Sequence, residues 1–327
     1  MAEAEKLKIG IVGAGAMGSL FGGRLAAAGQ EVLLYDIYQE HVDAIRREGL
    51  SIEDLASGQT ELVHPAATTE AADLGDVEIL IVFVKSAATE AVARKFSEIT
   101  GKRTIAVTVQ NGLGNEGILK EHFGAERTAA GVTSQGATFL GPGRIRHAGQ
   151  GPTHLCMSDR NNEKLGAFVD ALNQAGLETD LEENIDDLIW SKLIINVGIN
   201  ALTALTGLPN GRLLEFSDSK ALMAELVAEA LMVAEKKGVH LTYSDPLVMV
   251  YQVAEKTGGN RSSMLQDFDR KRQSEIDFIN GAIVREAEAL GLEVPANRTV
   301  TVSPGAAVPQ IGAGLSRWRT MWLEKMP

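Results

Sequence analysis

One stretch of the chain carries a lysine and two asparagines at a spacing that could serve polar chemistry. Lys192, Asn196 and Asn200 recur every four residues in an otherwise apolar run, so they share one face of a helix. Because an ammonium group and two amides are costly to bury without polar partners, we expect this face to bind a polar ligand. The lysine could polarise a carbonyl and donate a proton to its oxygen. A solvated helix face is the alternative.

A glycine-rich segment, residues 13–18, forms a second candidate site. Its sequence, G-A-G-A-M-G, follows a predicted strand and opens a predicted helix, the context in which G-x-G-x-x-G binds the pyrophosphate of a dinucleotide. The helix N-terminus offers unpaired N–H groups and a positive dipole end to the phosphates. A glycine turn without a ligand is the alternative. We predict cofactor contacts from Gly13, Ala14, Gly15, Ala16, Met17 and Gly18.

Asp36 indicates which dinucleotide this site takes. It ends the second predicted strand, 18 residues after Gly18, where a carboxylate accepts hydrogen bonds from the ribose hydroxyls. A carboxylate there repels a 2′-phosphate, and no arginine or lysine follows before Arg46. The sequence therefore favours NAD(H) over NADP(H). The alternative is that Asp36 caps a loop and that a lysine or arginine from elsewhere holds a 2′-phosphate.

Two polar segments follow predicted strands. Lys85 comes directly after the strand 79–84, and Gln110-Asn111-Gly112 comes directly after the strand 105–109. Ligands of open α/β sheets bind at such carboxyl ends. Each segment could equally have a structural role.

A third polar segment, residues 262–267, has the sequence S-S-M-L-Q-D and predicts a helix N-terminus. Glu275 lies twelve residues after Ser263, and we expect it on the helix that Ser263 begins. A pair of serines at a helix start is usually a cap, so these residues by themselves do not establish a ligand site.

The elements that must position these residues change in kind along the chain. The first half alternates short apolar strands with helices, which predicts a mostly parallel, doubly wound α/β sheet. Its predicted elements are the strands 8–12, 31–36, 79–84, 105–109 and 128–132 and the helix 17–28. The second half predicts the long helices 187–205, 219–237 and 266–290. We predict a Rossmann-like dinucleotide-binding domain over 1–182 and an all-helical substrate domain over 183–327.

Composition excludes several classes of protein. The 327 residues carry a net charge of −12, which disfavours nucleic-acid binding through bulk charge. A single cysteine forms no internal disulfide and fits a reducing compartment. The charged N-terminus lacks the apolar core of a signal peptide, and no apolar run approaches the length of a membrane span. The six histidines show no metal-ligand spacing. We expect a cytoplasmic protein that uses no metal, and its oligomeric state stays open, a homodimer included.

Taken together, these segments resemble the ketopantoate reductase (2-dehydropantoate 2-reductase) family over roughly residues 7–298. The glycine loop is shared with many dehydrogenases and discriminates little. The more specific part is two blocks in the same order and spacing: W-S-K-L at 190–193 with Asn196, Asn200 and P-N-G at 209–211, then S-S-M-L-Q-D at 262–267 and S-E-I-D at 274–277.

The resemblance implies a reaction and assigns roles. Reduced nicotinamide would pass hydride to the C2 carbonyl of 2-dehydropantoate and give pantoate. Lys192 matches the general acid, and Glu275 matches an acid that orders the closed complex and contacts the cofactor. The implied substrate contacts are Asn111, Lys192, Asn196, Asn200, Asn210 and Ser263. The implied further cofactor contacts are Lys85, Asn111, Ala137 and Glu275. The active site is then expected in the cleft between the two domains.

Two departures keep alternatives open. Family members often carry an arginine where this chain has Asp36, which suggests an NADH-using member and favours, as the alternative, a D-2-hydroxyacid dehydrogenase acting on another 2-oxo acid. The segment from Val302 also does not match the family's closing helix. More remote alternatives are a β-hydroxyacid dehydrogenase, which would not need Ser263 and Glu275, and a non-catalytic dinucleotide sensor, which would not need Lys192.

Overall fold

The computed structural model describes residues 6–157 and 162–301. Short strands alternate with helices up to Leu181, and the elements described from Asp186 onward are helical. The strands are β1 (Lys8–Val12), β2 (Glu31–Tyr35), β3 (Leu50–Asp54), β4 (Thr60–Val63), β5 (Ala66–Thr68), β6 (Ile79–Val82), β7 (Ile105–Thr108), β8 (Thr128–Thr133), β9 (Gly136–Gly141), β10 (Arg144–Gly149), β11 (Thr153–Met157) and β12 (Thr179–Leu181). The helices are α1 (Ala16–Ala27), α2 (Gln39–Glu48), α3 (Thr89–Ile99), α4 (Asn115–Phe123), α5 (Glu163–Gln174), α6 (Asp186–Thr206), α7 (Ser217–Lys237), α8 (Pro246–Lys256), α9 (Ser263–Asp269), α10 (Asn280–Leu290) and α11 (Pro295–Thr301).

The larger sheet has eight strands in the order β12-β11-β8-β7-β6-β1-β2-β5. Its neighbouring strands are parallel except for β8 and β11, which are antiparallel. From β1 the chain passes to β2 on one side and returns to β6 on the other, so the loops after β1 and β6 diverge. Such a switch point is where open α/β sheets bind ligands. The predicted fold class, a doubly wound α/β sheet followed by a helical domain, is confirmed.

A second, four-stranded sheet was not predicted. Its order is β4-β3-β10-β9, and it packs against α1, where a Cβ on Gly23 would lie 2.7 Å from the Ile52 side chain. Most side chains of β4 and β9 are exposed or half-buried. Because these strands are short and only partly apolar, they lack the buried run that identified the strands of the larger sheet.

The helical region is built around α6 and α7. The predicted helices 187–205 and 219–237 correspond to α6 and α7 within two residues at each end, whereas α8 was not predicted. Trp190, Leu193, Ile194 and Val197 of α6 belong to the core of this region. By length and composition α6 could cross a membrane, but most of its apolar window is buried inside the protein, as in a core helix.

The predicted helix 266–290 is wrong. α9 ends at Asp269, a 3₁₀ turn covers Ile276–Phe278, and α10 begins at Asn280. Helix formation stops because residues 270–274 are polar and supply no apolar face to pack. Lys271 takes a left-handed conformation (φ 53°). Glu275 therefore does not lie on the helix that Ser263 begins.

The described residues form two compact units. The first contains residues up to Gln110 and the segment 114–185, and the second contains Asn111–Leu113 and the residues from Asp186. The assignment of residues 1–182 to a dinucleotide-binding domain and of residues 183–327 to a substrate domain stays a prediction. The segment from Val302, for which no helix was expected, lies outside the described residues.

Candidate active site

The glycine loop joins β1 to α1 in a conformation that glycine makes possible. Gly13 has a φ of +93°, which side chains disfavour. A Cβ on Gly18 would lie 2.1 Å from the Gly13 carbonyl oxygen, so the close approach of helix and loop needs glycine there. At Gly15, by contrast, a Cβ would meet no described atom within 4 Å. The loop is tight where it packs and open at the N-terminus of α1, as a pyrophosphate group requires.

Asp36 lies directly beside this loop. The N–H groups of Gly13 and Ala14 both donate to the Tyr35 carbonyl, at 2.9 and 3.2 Å, so the loop is tied to the end of β2. Asp36 is half-buried, and its Oδ1 accepts a hydrogen bond from the Tyr38 N–H at 2.9 Å. The carboxylate is thereby oriented at the end of β2, the position that contacts a ribose in dinucleotide-binding folds.

A buried polar network links the ends of β6 and β7. Gln110 Nε2 donates to the Val84 carbonyl at 2.6 Å and to Thr89 Oγ1 at 2.9 Å. Thr89 in turn donates to Asn115 Oδ1, and Asn115 Nδ2 donates to Ser86 Oγ. Because each of these groups has a fixed partner, the network fixes where the chain leaves both strands. In the sequence Gln110 stands out only as a neighbour of Asn111, and its role in this network was not predicted.

Two further residues of the first unit were predicted to contact cofactor. Lys85 is exposed and precedes a 3₁₀ turn at Ser86–Ala88, on the carboxyl side of β6. Since β6 is the sheet neighbour of β1, Lys85 is on the same sheet edge as the glycine loop. Ala137 is half-buried in β9, a strand that contacts α1. Neither position establishes a ligand contact, so both assignments stay predictions.

In the helical unit, α6 carries the predicted lysine and asparagines. Asn200 is buried, and Lys192 and Asn196 are half-buried, so the solvated-face alternative does not describe this stripe. Burial lowers the pKa of the Lys192 ammonium to about 8, and the negative charge of Glu275 opposes that shift. Glu275 is itself only 8% exposed. The structure therefore brings the charges of Lys192 and Glu275 close enough to interact, although more than eighty residues separate them in the chain.

The start of α9 packs against this part of α6. Ser262 caps the helix, since its Oγ accepts a hydrogen bond from the Leu265 N–H at 3.1 Å. The Ser262 hydroxyl also lies 2.6 Å from Thr203 Oγ1, and Thr203 donates to the Asn200 carbonyl. The cap interpretation thus applies to Ser262, while Ser263 is the first residue of the helix. The predicted Ser263 is held near the end of the α6 stripe by its neighbour.

Asn210 holds a buried oxygen that lacks a donor. Its main-chain N–H donates to the Asn260 carbonyl at 3.0 Å, and its Nδ2 donates to Thr257 Oγ1 at 2.9 Å. The Oδ1 atom is buried and has no hydrogen-bond partner among the described residues. An unsatisfied buried acceptor costs about 1–3 kcal/mol, and such groups call for an explanation such as a ligand. A hydroxyl of a bound ligand would satisfy it.

The segment Asn111–Leu113 clusters with the helical unit rather than with the strands that flank it in the chain. The Leu113 N–H donates to the Phe278 carbonyl at 2.9 Å. Gly112 has a φ of +86°, and a Cβ there would lie 2.3 Å from that carbonyl oxygen. The segment that contains Asn111 is therefore anchored at Phe278, three residues after Glu275. Nothing in the sequence indicated that these two predicted site residues belong to the same unit.

Two residues that were not predicted, Thr242 and Tyr243, hold the backbone before Lys192. The Tyr243 hydroxyl donates to the Ser191 carbonyl at 2.7 Å, and the Thr242 N–H donates to Ser191 Oγ at 3.0 Å. Burial raises the pKa of Tyr243, so it remains a donor. No signal in the sequence marks this contact, because Tyr243 follows a polar loop.

Within the described ranges, no cluster of three or more histidine, cysteine, aspartate or glutamate residues could hold a metal ion.

Comparison with known proteins places this site in a family. Residues 9–159 match the family model described as ketopantoate reductase PanE/ApbA, and residues 184–303 match its C-terminal counterpart. A 2-dehydropantoate 2-reductase of Halobacterium salinarum is 33% identical over 295 residues, which cover 90% of this chain and 96% of the relative.

Two solved structures are similar over nearly the whole chain. A PanE/ApbA family ketopantoate reductase from Ralstonia eutropha has 33% identity and a TM-score of 0.84, with 95% of this chain and 100% of that chain covered. A D-mandelate dehydrogenase bound to NADH and anilino(oxo)acetate has 28% identity and a TM-score of 0.83, with 95% and 99% covered. The matched family models and the extent of the identity show that the chain belongs to the ketopantoate reductase PanE/ApbA family.

Proposed function

We propose that the protein is a 2-dehydropantoate 2-reductase, which reduces the C2 carbonyl of 2-dehydropantoate to the alcohol of pantoate. The observation that carries the proposal is Lys192, a half-buried lysine with a lowered pKa beside Glu275, in a chain similar over 90% of its length to a 2-dehydropantoate 2-reductase. A bound nicotinamide dinucleotide supplies the hydride. The residues of the chain bind and orient both ligands and deliver the proton.

Lys192 is the proposed general acid. With a pKa of about 8, its ammonium group is still mostly protonated near neutral pH, yet it gives up a proton more readily than an ordinary lysine. It donates a hydrogen bond to the carbonyl oxygen and then the proton that converts the developing alkoxide into an alcohol. Glu275 supports this role, because its negative charge keeps the pKa of Lys192 from falling further.

Polar groups of the helical unit are the proposed substrate ligands. Asn196 and Asn200 present amides on the Lys192 face of α6, and the orphaned Oδ1 of Asn210 accepts from a substrate hydroxyl. Ser263 and Asn111 complete the set, with Ser263 proposed to hold the carboxylate. Both ends of a hydroxylated 2-oxo acid then have partners, and its carbonyl faces the acid.

The first unit is the proposed dinucleotide site. The residues fit the group, because the loop is open at Gly15 and the helix N-terminus offers N–H donors to the diphosphate. The proposed contacts in this unit are Gly13, Ala14, Gly15, Ala16, Met17, Gly18, Asp36, Lys85 and Ala137. Asn111 and Glu275 of the second unit are proposed as further cofactor contacts. We propose NADH as the preferred cofactor, because the oriented carboxylate of Asp36 favours ribose hydroxyls and repels a 2′-phosphate.

A second candidate is an NAD-dependent D-2-hydroxyacid dehydrogenase that acts on another 2-oxo acid. The similarity to the D-mandelate dehydrogenase bound to NADH and the presence of Asp36 favour it. Both candidates use the same acid and differ in the side chain of the substrate. A cytoplasmic location and a homodimer stay predictions that neither candidate decides.

Initial rates separate these candidates. We would measure turnover of 2-dehydropantoate and of phenylglyoxylate, each with NADH and with NADPH. Faster turnover of 2-dehydropantoate with NADH is the expected result. A preference for phenylglyoxylate would move the protein into 2-hydroxyacid metabolism, and a preference for NADPH would overturn the role of Asp36 alone.

A further inference from the structure

The Ala14 carbonyl, in the middle of the glycine loop, accepts two hydrogen bonds from buried side chains. Ser19 Oγ donates to it at 2.7 Å, and His41 Nε2 donates to it at 2.8 Å. Ser19 is fully buried and His41 is 1% exposed. Neither residue belongs to the glycine motif, and His41 comes from α2, 27 positions farther along the chain. The loop is therefore held from inside the protein as well as by its own glycines.

The hydrogen bonds of His41 determine its tautomer. Its Nδ1 accepts from the main-chain N–H of Gly143 at 2.9 Å, so Nδ1 carries no proton. The proton of the neutral ring is then on Nε2, which faces the Ala14 carbonyl. Burial lowers the pKa of His41, which favours this neutral form. The ring of Phe139 packs edge-on against the imidazole at 5.0 Å between centroids.

The direction of the Ala14 carbonyl also determines the direction of the next N–H. In a trans peptide the C=O of one residue and the N–H of the next lie in one plane and point in opposite directions. Because Ser19 and His41 hold the Ala14 oxygen toward the interior, the Gly15 N–H must point away from them. A Cβ on Gly15 would meet no described atom within 4 Å, so the loop is open at the residue that carries this N–H.

We propose that His41 is a positioning residue for the dinucleotide, which fixes the Ala14–Gly15 peptide so that the Gly15 N–H faces the diphosphate. This inference rests on the proposed function in one respect, namely that the glycine loop binds a dinucleotide. It adds a role for the small sheet: Gly143, in the turn between β9 and β10, sets the tautomer that holds the loop.

Direct binding of NADH tests the proposal without reference to any substrate. We would titrate the wild-type protein, H41F and H41Q with NADH and follow the nicotinamide fluorescence. In H41F the Ala14 oxygen keeps only the Ser19 donor and the peptide is held less firmly, so the Kd should rise about tenfold. Glutamine retains an N–H donor and an oxygen acceptor, so H41Q should recover most of the affinity.

A second buried histidine supplies the matched control. His147 of β10 is 5% exposed and burial lowers its pKa as well, but its Nε2 contacts the Gln135 side chain instead of the loop. H147F should therefore lose thermal stability as H41F does and bind NADH within threefold of wild type. For H41F we also expect a raised KM for NADH with kcat at saturating NADH nearly unchanged, a split that general damage to the fold would not produce.

The outcomes separate the two proposals. If the wild-type protein binds neither NADH nor NADPH, the proposed function fails. If the wild type binds NADH and H41F binds it equally well, the positioning role of His41 is wrong and the function stands. Should H41F not fold, ¹⁵N NMR of the wild-type protein still decides, because a directly bonded proton on Nδ1 rather than Nε2 of His41 would contradict the proposed tautomer.

Discussion

In the first unit the groups proposed to bind the diphosphate are main-chain N–H groups at the start of α1, whereas in the helical unit the proposed acid and two of the proposed substrate ligands are side chains on one face of α6. The glycine loop depends on residues that lack side chains, and the side chains that contact it are proposed to orient a peptide group. The α6 face depends on particular functional groups, and the charge of Glu275 raises the pKa of one of them, Lys192. Substitutions in the first region should therefore weaken dinucleotide binding, and substitutions in the second should lower turnover.

Removal of the Lys192 ammonium group should give the largest effect. We expect K192M to lower kcat about 10³-fold, because general acids contribute about 10²- to 10⁴-fold, while the Kd for NADH stays within threefold. Steady-state kinetics and a fluorescence titration measure the two quantities. Lys237 of α7, which pairs with Glu286 at the surface, supplies the control, and K237M should keep wild-type kcat. An intact rate in K192M would exclude Lys192 as the acid.

A pair of glycines tests the anchoring of Asn111. Gly112 and Gly114 both have positive φ, so alanine strains the backbone at either position by about 1 kcal/mol or more. Only at Gly112 would the added Cβ meet the Phe278 carbonyl oxygen, at 2.3 Å. We expect G112A to lower kcat/KM about 100-fold and G114A to change it only a few-fold, and we expect G112A to lower Tm more than G114A does, because strain is common to both and the close contact is not. Equal kinetic effects would show that strain, and not the contact, matters.

A change at Asp36 should move cofactor preference and little else. Alanine there removes hydrogen bonds to the ribose hydroxyls and the repulsion of a 2′-phosphate. Interactions of this kind are worth about 1.5–3 kcal/mol, so the ratio of kcat/KM for NADH to that for NADPH should fall about thirtyfold in D36A. D43A, on α2, removes an acid that contacts Gln39 and should leave the ratio unchanged. A constant ratio in D36A would place cofactor selection elsewhere.

The smallest effect concerns pH. The protonated form of Lys192 is the acid, so kcat should be constant at lower pH and fall as pH rises through about 8. The charge of Glu275 raises the pKa of Lys192, and its removal in E275Q should shift this fall to lower pH. Profiles of kcat from about pH 6 to about pH 10 for both proteins measure the shift. A shift to higher pH, or none, would contradict the assigned pair.

Local patterns in the sequence predicted part of the fold and of the site, whereas contacts between residues far apart in the chain were not predicted. The glycine loop was predictable because three glycines at fixed spacing determine a backbone path, and the α6 face because every fourth residue of a helix lies on one side. The end of α9 was missed although residues 270–274 are polar, and the pairing of Glu275 with Lys192 was not predictable, since it depends on tertiary contacts. His41 is the clearest case: the two main-chain groups that it contacts lie 27 and 102 positions away, and nothing in its local sequence marks them.

The anchoring of residues 111–113 to Phe278 has a consequence for recombination between relatives. A crossover between residues 185 and 186 exchanges all the helices of the second unit. Residues 111–113, which belong to the same unit, then still come from the other parent. A chimera made in this way places a foreign side chain against the Phe278 carbonyl wherever the donor of the first half lacks a glycine at position 112. With such a donor, functional exchange of the helical unit requires a second, three-residue graft far upstream in the gene.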